Sequence, residues 1–191
     1  MKKVLLYTGY LLLIWGGFRY FFNLPEIIEE LWFKPVIWLV PLFWWNIFLR
    51  EKRVSLFGDN MFLSLVIGLV VGGFYFFALQ KVPGVLYGNW NLLGVALVTA
   101  VVEEIALTGF VLGYLQKSIP ETWSIFFCAL LVAVLRLPVL LFDFKVGGLE
   151  MIFVLIFVFA VAMINGVIRT KSGNVLGSIV ARFILNIALF V

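Results

Sequence analysis

The sequence predicts an all-α fold, a polytopic bundle of transmembrane helices. Three observations predict it. Of the 191 residues, 64% are hydrophobic and only 13% are charged. Apolar stretches long enough to cross roughly 30 Å of hydrocarbon recur from end to end. The mean hydropathy is +1.16. Soluble domains are about 45–50% apolar and about 25% charged, so a soluble fold of this length has no way to hide so much apolar surface. No long linker or repeat divides the chain, and residues 1–191 are expected to form a single integral membrane domain.

About seven spans are expected. The first, near 4–22, follows Lys2 and Lys3 and has the basic and apolar parts of a signal peptide. No small-residue cleavage site follows, and Tyr20, Phe21 and Phe22 continue the run, so a retained span is expected. In Leu24–Trp32, Pro25 precedes Glu26, Glu29 and Glu30, the pattern of a short interfacial helix. The second span, near 33–49, is short and carries Pro35 and Pro41, so it is expected to be tilted or broken. Six spans plus one re-entrant or interfacial helix is therefore the alternative. Further spans fall near 61–80, 91–116, 121–142, 149–168 and 174–191. The pairs Gly68/Gly72 and Gly109/Gly113 have the small-xxx-small spacing that lets helix backbones approach, which speaks of packing rather than activity.

The charge of +4 does not point to nucleic acid, because the basic residues sit in short loops without a basic, aromatic-interleaved patch. They read as topology signals, and the lipid bilayer is the expected surrounding. With a cytoplasmic N-terminus in a multi-pass cell-membrane protein, the inner side collects Lys2, Lys3, Arg50, Lys52, Arg53, Lys117, Arg169 and Lys171. The outer side keeps Lys34, Lys81 and Lys145, so the balance is eight to three. Cys128 has no partner for an internal disulfide and reads as a small buried hydrophobe.

Four ionisable residues fall well inside spans: Glu103, Glu104, Arg136 and Arg182. Each costs roughly 2.5–3.5 kcal/mol at a helix centre, on the order of 10 kcal/mol together before compensation. Two carboxylates and two guanidinium groups cancel, and arginine's fork suits carboxylate geometry. They are expected to meet in the bundle interior. Asn186 lies four residues beyond Arg182, and Thr108 four beyond Glu104, each on the shared helix face. Both are expected to hydrogen-bond around the cluster. A purely structural ion-pair network is the bland reading, and intramembrane charge is more often functional.

The stretch Glu103-Glu104-Ile105-Ala106-Leu107-Thr108-Gly109-Phe110 resembles the first signature of the CAAX-protease and bacteriocin-processing family of intramembrane proteases, with Thr108 where that signature has arginine. The family's second signature is a histidine ending an apolar run, and its context matches Ala129–Pro138 with Arg136 in the histidine's place. The third, a histidine four residues before Asn or Asp, fits Thr170–Asn186 with Arg182 in the histidine's place. The resemblance covers roughly 90–191, which is expected to carry the family's core helices. It implies a glutamate that activates water, Glu103 or Glu104, and makes Asn186 a candidate oxyanion donor. Accounts of the family as a metalloprotease and as a glutamic protease both exist.

The chain has no histidine. Arginine stays protonated and offers zinc no lone pair, so no catalytic metal and no other cofactor is expected. The first expectation is a protease-like fold with its ordinary hydrolysis impaired or lost, a pseudoprotease whose charges are structural or hold a membrane-associated peptide, as in immunity to membrane-active peptides. The second is an active glutamate-dependent endopeptidase that uses arginine to stabilise the oxyanion. The third is a small transporter or channel component. It ranks last because transport paths distribute polar groups along the membrane normal, and these cluster at one level.

Overall fold

The computed structural model describes residues 2–22, 24–48, 55–58, 60–79 and 92–190. They form helices and turns, with no strand among the described residues. Arg50, Lys52, Arg53 and Lys81, four of the basic residues used for orientation, lie outside them.

Helix α1, Lys2–Phe21, buries Val4, Tyr7, Thr8, Leu11 and Trp15, the three-to-four spacing of one helical face. Helix α2 is one continuous run: Glu26–Ile28, a wide π turn over Glu29–Phe33, then Lys34–Phe48. The Lys34 amide reaches back to Glu29 O, five residues away. The π turn sits just before Pro35, which lacks the N–H that an α-helical ladder needs. Pro41 lies inside the helix without breaking it. Two expectations are corrected here. The second span is unbroken, and Leu24–Trp32 is no separate surface helix, because Glu29 and Glu30 are buried in the bundle.

Helix α3, Met61–Leu79, buries only Ser64, Gly68, Gly72 and Tyr75, one residue per turn. This stripe packs on the C-terminal helix α7, Leu176–Phe190. A methyl at Gly68 would strike the backbone of Gly177, and one at Gly72 would strike the Ile184 side chain. The small-residue spacing therefore sets how closely α3 and α7 approach.

Helix α4 runs from Leu93 to Gln116, with a π turn over Ile105–Val111, and is the most buried of the long helices. Helix α5, Glu121–Pro138, continues in a π turn to Asp143. Helix α6, Gly148–Ser172, ends at Gly173 in the left-handed conformation, φ 67°, where glycine carries no Cβ penalty. Asn174 Oδ1 then accepts from the Leu176 amide at 2.9 Å, capping α7.

An aromatic-rich core joins α1, α2, α4 and α5, and a smaller one built on Tyr75, Val161, Ile168, Ala181 and Leu185 joins α3, α6 and α7. Five helices are long and apolar enough to cross a membrane, while Leu176–Leu189 is a shorter apolar helix. The protein is a multi-pass membrane helix bundle.

Candidate functional site

Helix α4 presents Glu103 and Glu104 where its α-helical turns give way to the π turn. Thr108 explains part of that change. Its hydroxyl donates to Glu104 O at 2.8 Å, a carbonyl that regular α-helical pairing would give to a backbone amide.

Both oxygens of Glu103 are engaged by cations from three other helices. Lys34 Nζ donates to Oε1 at 2.7 Å. Arg136 Nη2 donates to Oε1 at 2.6 Å and to Oε2 at 2.5 Å. Arg182 Nη2 donates to Oε2 at 2.6 Å. Those four charge-assisted bonds match the roughly four lone-pair sites of a carboxylate.

The network extends along α1 and α2. Lys34 also pairs with Glu30 Oε2 at 2.5 Å, and the Thr99 hydroxyl donates to that same oxygen at 2.7 Å. Arg19 pairs with Glu29 at 2.5 Å and with Glu30 at 3.0 Å. Trp15 and Trp38 wall this part of the bundle: Lys34 lies over both rings and Arg19 over that of Trp15.

Glu104 faces a different environment. Asn165 Nδ2 donates to its Oε1 at 2.7 Å, and the Thr108 hydroxyl shares its one proton between Glu104 O and Oε2, each 2.8 Å away. Thr108 in turn meets Ser178 at 3.2 Å. No lysine or arginine pairs with Glu104 among the described residues.

Of the residues singled out from sequence, the structure brings Glu103, Arg136 and Arg182 together. Two expectations fail. Glu104 is not ion-paired, because consecutive helical residues point about 100° apart and cannot share one set of partners. Asn186 spends its amide on Ala96 O at 3.1 Å instead of on the cluster. Sequence reasoning missed Arg19, Glu29, Glu30, Lys34 and Asn165. Lys34 in particular is fully buried and is no outer-loop charge. The signal was present: Glu30 and Lys34 are an i,i+4 pair, and Arg19 continues the Leu11–Trp15 stripe by one turn.

The donor set does not fit zinc. The groups facing Glu103 are protonated cations without lone pairs, and no cluster of three His, Cys, Asp or Glu that could hold a metal occurs among the described residues.

Fold and site together define a membrane helix bundle built around buried glutamates, the class of an intramembrane protease scaffold. The family model for Type II CAAX prenyl endopeptidase Rce1-like proteins matches residues 85–188, more than half of the chain. The chain belongs to this Rce1-like family. No match was found among curated proteins or solved structures.

Proposed function

We propose that this chain is a CAAX-protease-like membrane protein in which peptide hydrolysis through Glu103 is lost, and whose site holds a membrane-associated peptide without cutting it. The single observation that carries this is the saturation of Glu103 by Lys34, Arg136 and Arg182. A general base must reach the proton that it abstracts and keep a lone pair for it. Glu103 keeps neither, since its acceptor sites are filled by Lys34, Arg136 and Arg182.

The test is cleavage of membrane-anchored peptides by the purified protein. The expected result is no turnover above that of Glu103→Gln. Turnover by the unaltered protein that Glu103→Gln abolishes would overturn the reading. The double variant Arg136→His with Arg182→His removes two of the three cations, and it asks whether the scaffold regains hydrolysis.

A second reading, an active glutamate-dependent protease, is favoured by one observation: Glu104 accepts only from neutral donors. It would then be the base, with Arg182 donating to the oxyanion. Turnover abolished by Glu104→Gln and retained in Glu103→Gln would establish it.

We also infer a cytoplasmic N-terminus at the cell membrane. Lys2, Lys3, Lys117 and Lys171 share one end of the bundle and Lys145 lies at the other, a bias that follows the positive-inside rule. Lys34 and Arg169 drop out of that balance because both are buried.

A further inference from the structure

Just before α3, residues 55–58 form a strap of bends instead of helix. It lies across the end of the bundle where α6 finishes and α7 begins. Leu56 O accepts from the Val175 amide at 3.0 Å, and Gly58 O from Asn174 Nδ2 at 3.1 Å. Arg169 Nη2 donates to Ser55 O at 2.5 Å. Two glycines make room for this docking. A methyl on Gly109 would strike the Leu56 side chain, and one on Gly58 would strike Gly173 O.

Helix α3 does not need these ties, because its stripe from Ser64 to Tyr75 already fixes it on α7. What the strap covers gives it a purpose. The Thr108 hydroxyl lies 2.8 Å from Glu104 Oε2, and Ser178 lies 3.2 Å from that hydroxyl and 2.8 Å from Val175 O. These groups form a polar column between α4 and α7, running from Glu104 toward the strap. Leu56 sits at its end, bonded to Val175 and packed on Gly109, the neighbour of Thr108. Thr108 and Ser178 are 2% and 0% exposed. A row of hydroxyls leading to a buried carboxylate is a path that water would follow, and an apolar leucine across it keeps water out.

The tie at Arg169 is of a releasable kind. Arg169 is buried, its Nε finds no acceptor, and no carboxylate pairs with it among the described residues. It spends its charge on one neutral carbonyl, a weaker partner than an anion.

We propose that residues 55–58 are a plug that closes the way from this end of the bundle to Glu104, with Leu56 as the stopper and Arg169 as the latch. The plug rests on neither reading of hydrolysis: it shuts Glu104 off whether that carboxylate is a base or a structural group.

The experiment puts a reporter thiol in the column, Ser178→Cys, in the detergent-purified full chain. Native Cys128 stays as an internal control, since it is buried on the α5 side of α4 against Leu107 O. A small charged methanethiosulfonate is added, and peptide mass mapping gives the rate at each thiol. With the strap unaltered, both thiols are expected to react slowly. Leu56→Ala shortens the stopper, and Arg169→Met removes the latch while keeping an apolar stem. Each is expected to raise the rate at position 178 by at least about tenfold, the scale of one such lost contact when labelling runs through local opening. Cys128 is expected to stay slow.

A rise in either variant that is confined to position 178 supports the plug. Fast reaction there behind the unaltered strap overturns it, as does no rise in both variants. Equal rises at position 178 and at Cys128 mean a general loosening of the bundle and overturn it as well. Gel filtration and helical circular dichroism report the fold of each variant. Turnover in the protease assay would refute the loss of hydrolysis and leave the labelling result standing, so the two ideas fail separately.

Discussion

Glu103 turns both oxygens to Lys34, Arg136 and Arg182, while Glu104, one residue on, is held by the Asn165 amide and the Thr108 hydroxyl. Their separation divides the interior in two. The Glu103 side is a network of ion pairs tying α1, α2, α4, α5 and α7 together, and on the other side Glu104 takes its hydrogen bonds from neutral groups that join α4 to α6 and, through Thr108 and Ser178, to α7. The π turn starting at Ile105 follows both carboxylates, so they leave a regular helix at fixed angles.

That division predicts unequal effects of two nearly identical substitutions. Glu103→Gln leaves the buried Lys34 and Arg182 and the partly buried Arg136 without the carboxylate they share, and it is expected to cost about 3–5 kcal/mol. Glu104→Gln keeps one acceptor for Asn165, and the hydroxyl of Thr108 can rotate to accept from the new amide. It is expected to cost about 1 kcal/mol. Reversible unfolding in mixed micelles measures both, and equal losses would contradict the geometry.

Lys34 provides a converse case. Each carboxylate that it touches keeps another cation: Arg19 for Glu30, and Arg136 with Arg182 for Glu103. Lys34→Met also preserves much of the apolar stem packed against Trp15 and Trp38. Its expected cost is about 1–2 kcal/mol, clearly below that of Glu103→Gln, in the same unfolding experiment.

How much of this was legible in the sequence follows from what each signal physically reports. Apolar runs report burial in lipid or core, and they placed the helices well. The three motif positions on α4, α5 and α7 report a resemblance to a family, and Glu103, Arg136 and Arg182 do converge. Lys34, Glu29 and Glu30 carried only the weak signal of the Glu30–Lys34 i,i+4 spacing, because charges at the end of an apolar run ordinarily mark the interface. Only tertiary packing reveals that α2 carries them inward past Trp15. Asn186 shows the limit of spacing arguments. It shares a helix face with Arg182, yet the backbone carbonyl of Ala96 on the facing helix is the acceptor within reach.

The contact of α3 with α7 predicts a sharp positional effect. Gly68→Ala drives a methyl into the Gly177 backbone, whereas a methyl at Gly73 meets nothing within 4 Å. Gly68→Ala is expected to destabilise the protein by about 1–3 kcal/mol, since backbone can yield only by separating the helices. Gly73→Ala should be neutral or slightly stabilising through its better helix propensity. Ser64 sharpens the case, because its hydroxyl accepts the Gly177 amide at 2.8 Å, and any separation of the helices breaks that bond too. Thermal unfolding of both variants side by side decides it.

Orientation gives the last prediction. The Gln116 amide bonds Thr170 at 2.9 Å, and Lys171 lies 3.4 Å from Glu121, so the ends of α4 and α6 and the start of α5 share one face of the bundle. The start of α1 joins them, as Lys3 lies over the Trp45 ring near the end of α2. At the opposite face, Tyr20 and Phe142 stack edge to face with ring centres 5.2 Å apart, beside the turn that carries Lys145. With Cys128 replaced by alanine, one cysteine at Lys171 or at Lys145 should therefore label from opposite sides of a sealed membrane vesicle. A membrane-impermeant maleimide added to inside-out vesicles is expected to modify Lys171→Cys and spare Lys145→Cys, and right-side-out cells should give the reverse. Labelling of both from one side would break the helix alternation itself. A clean reversal would keep the fold and place the N-terminus outside, against the rule that basic loops stay in the cytoplasm.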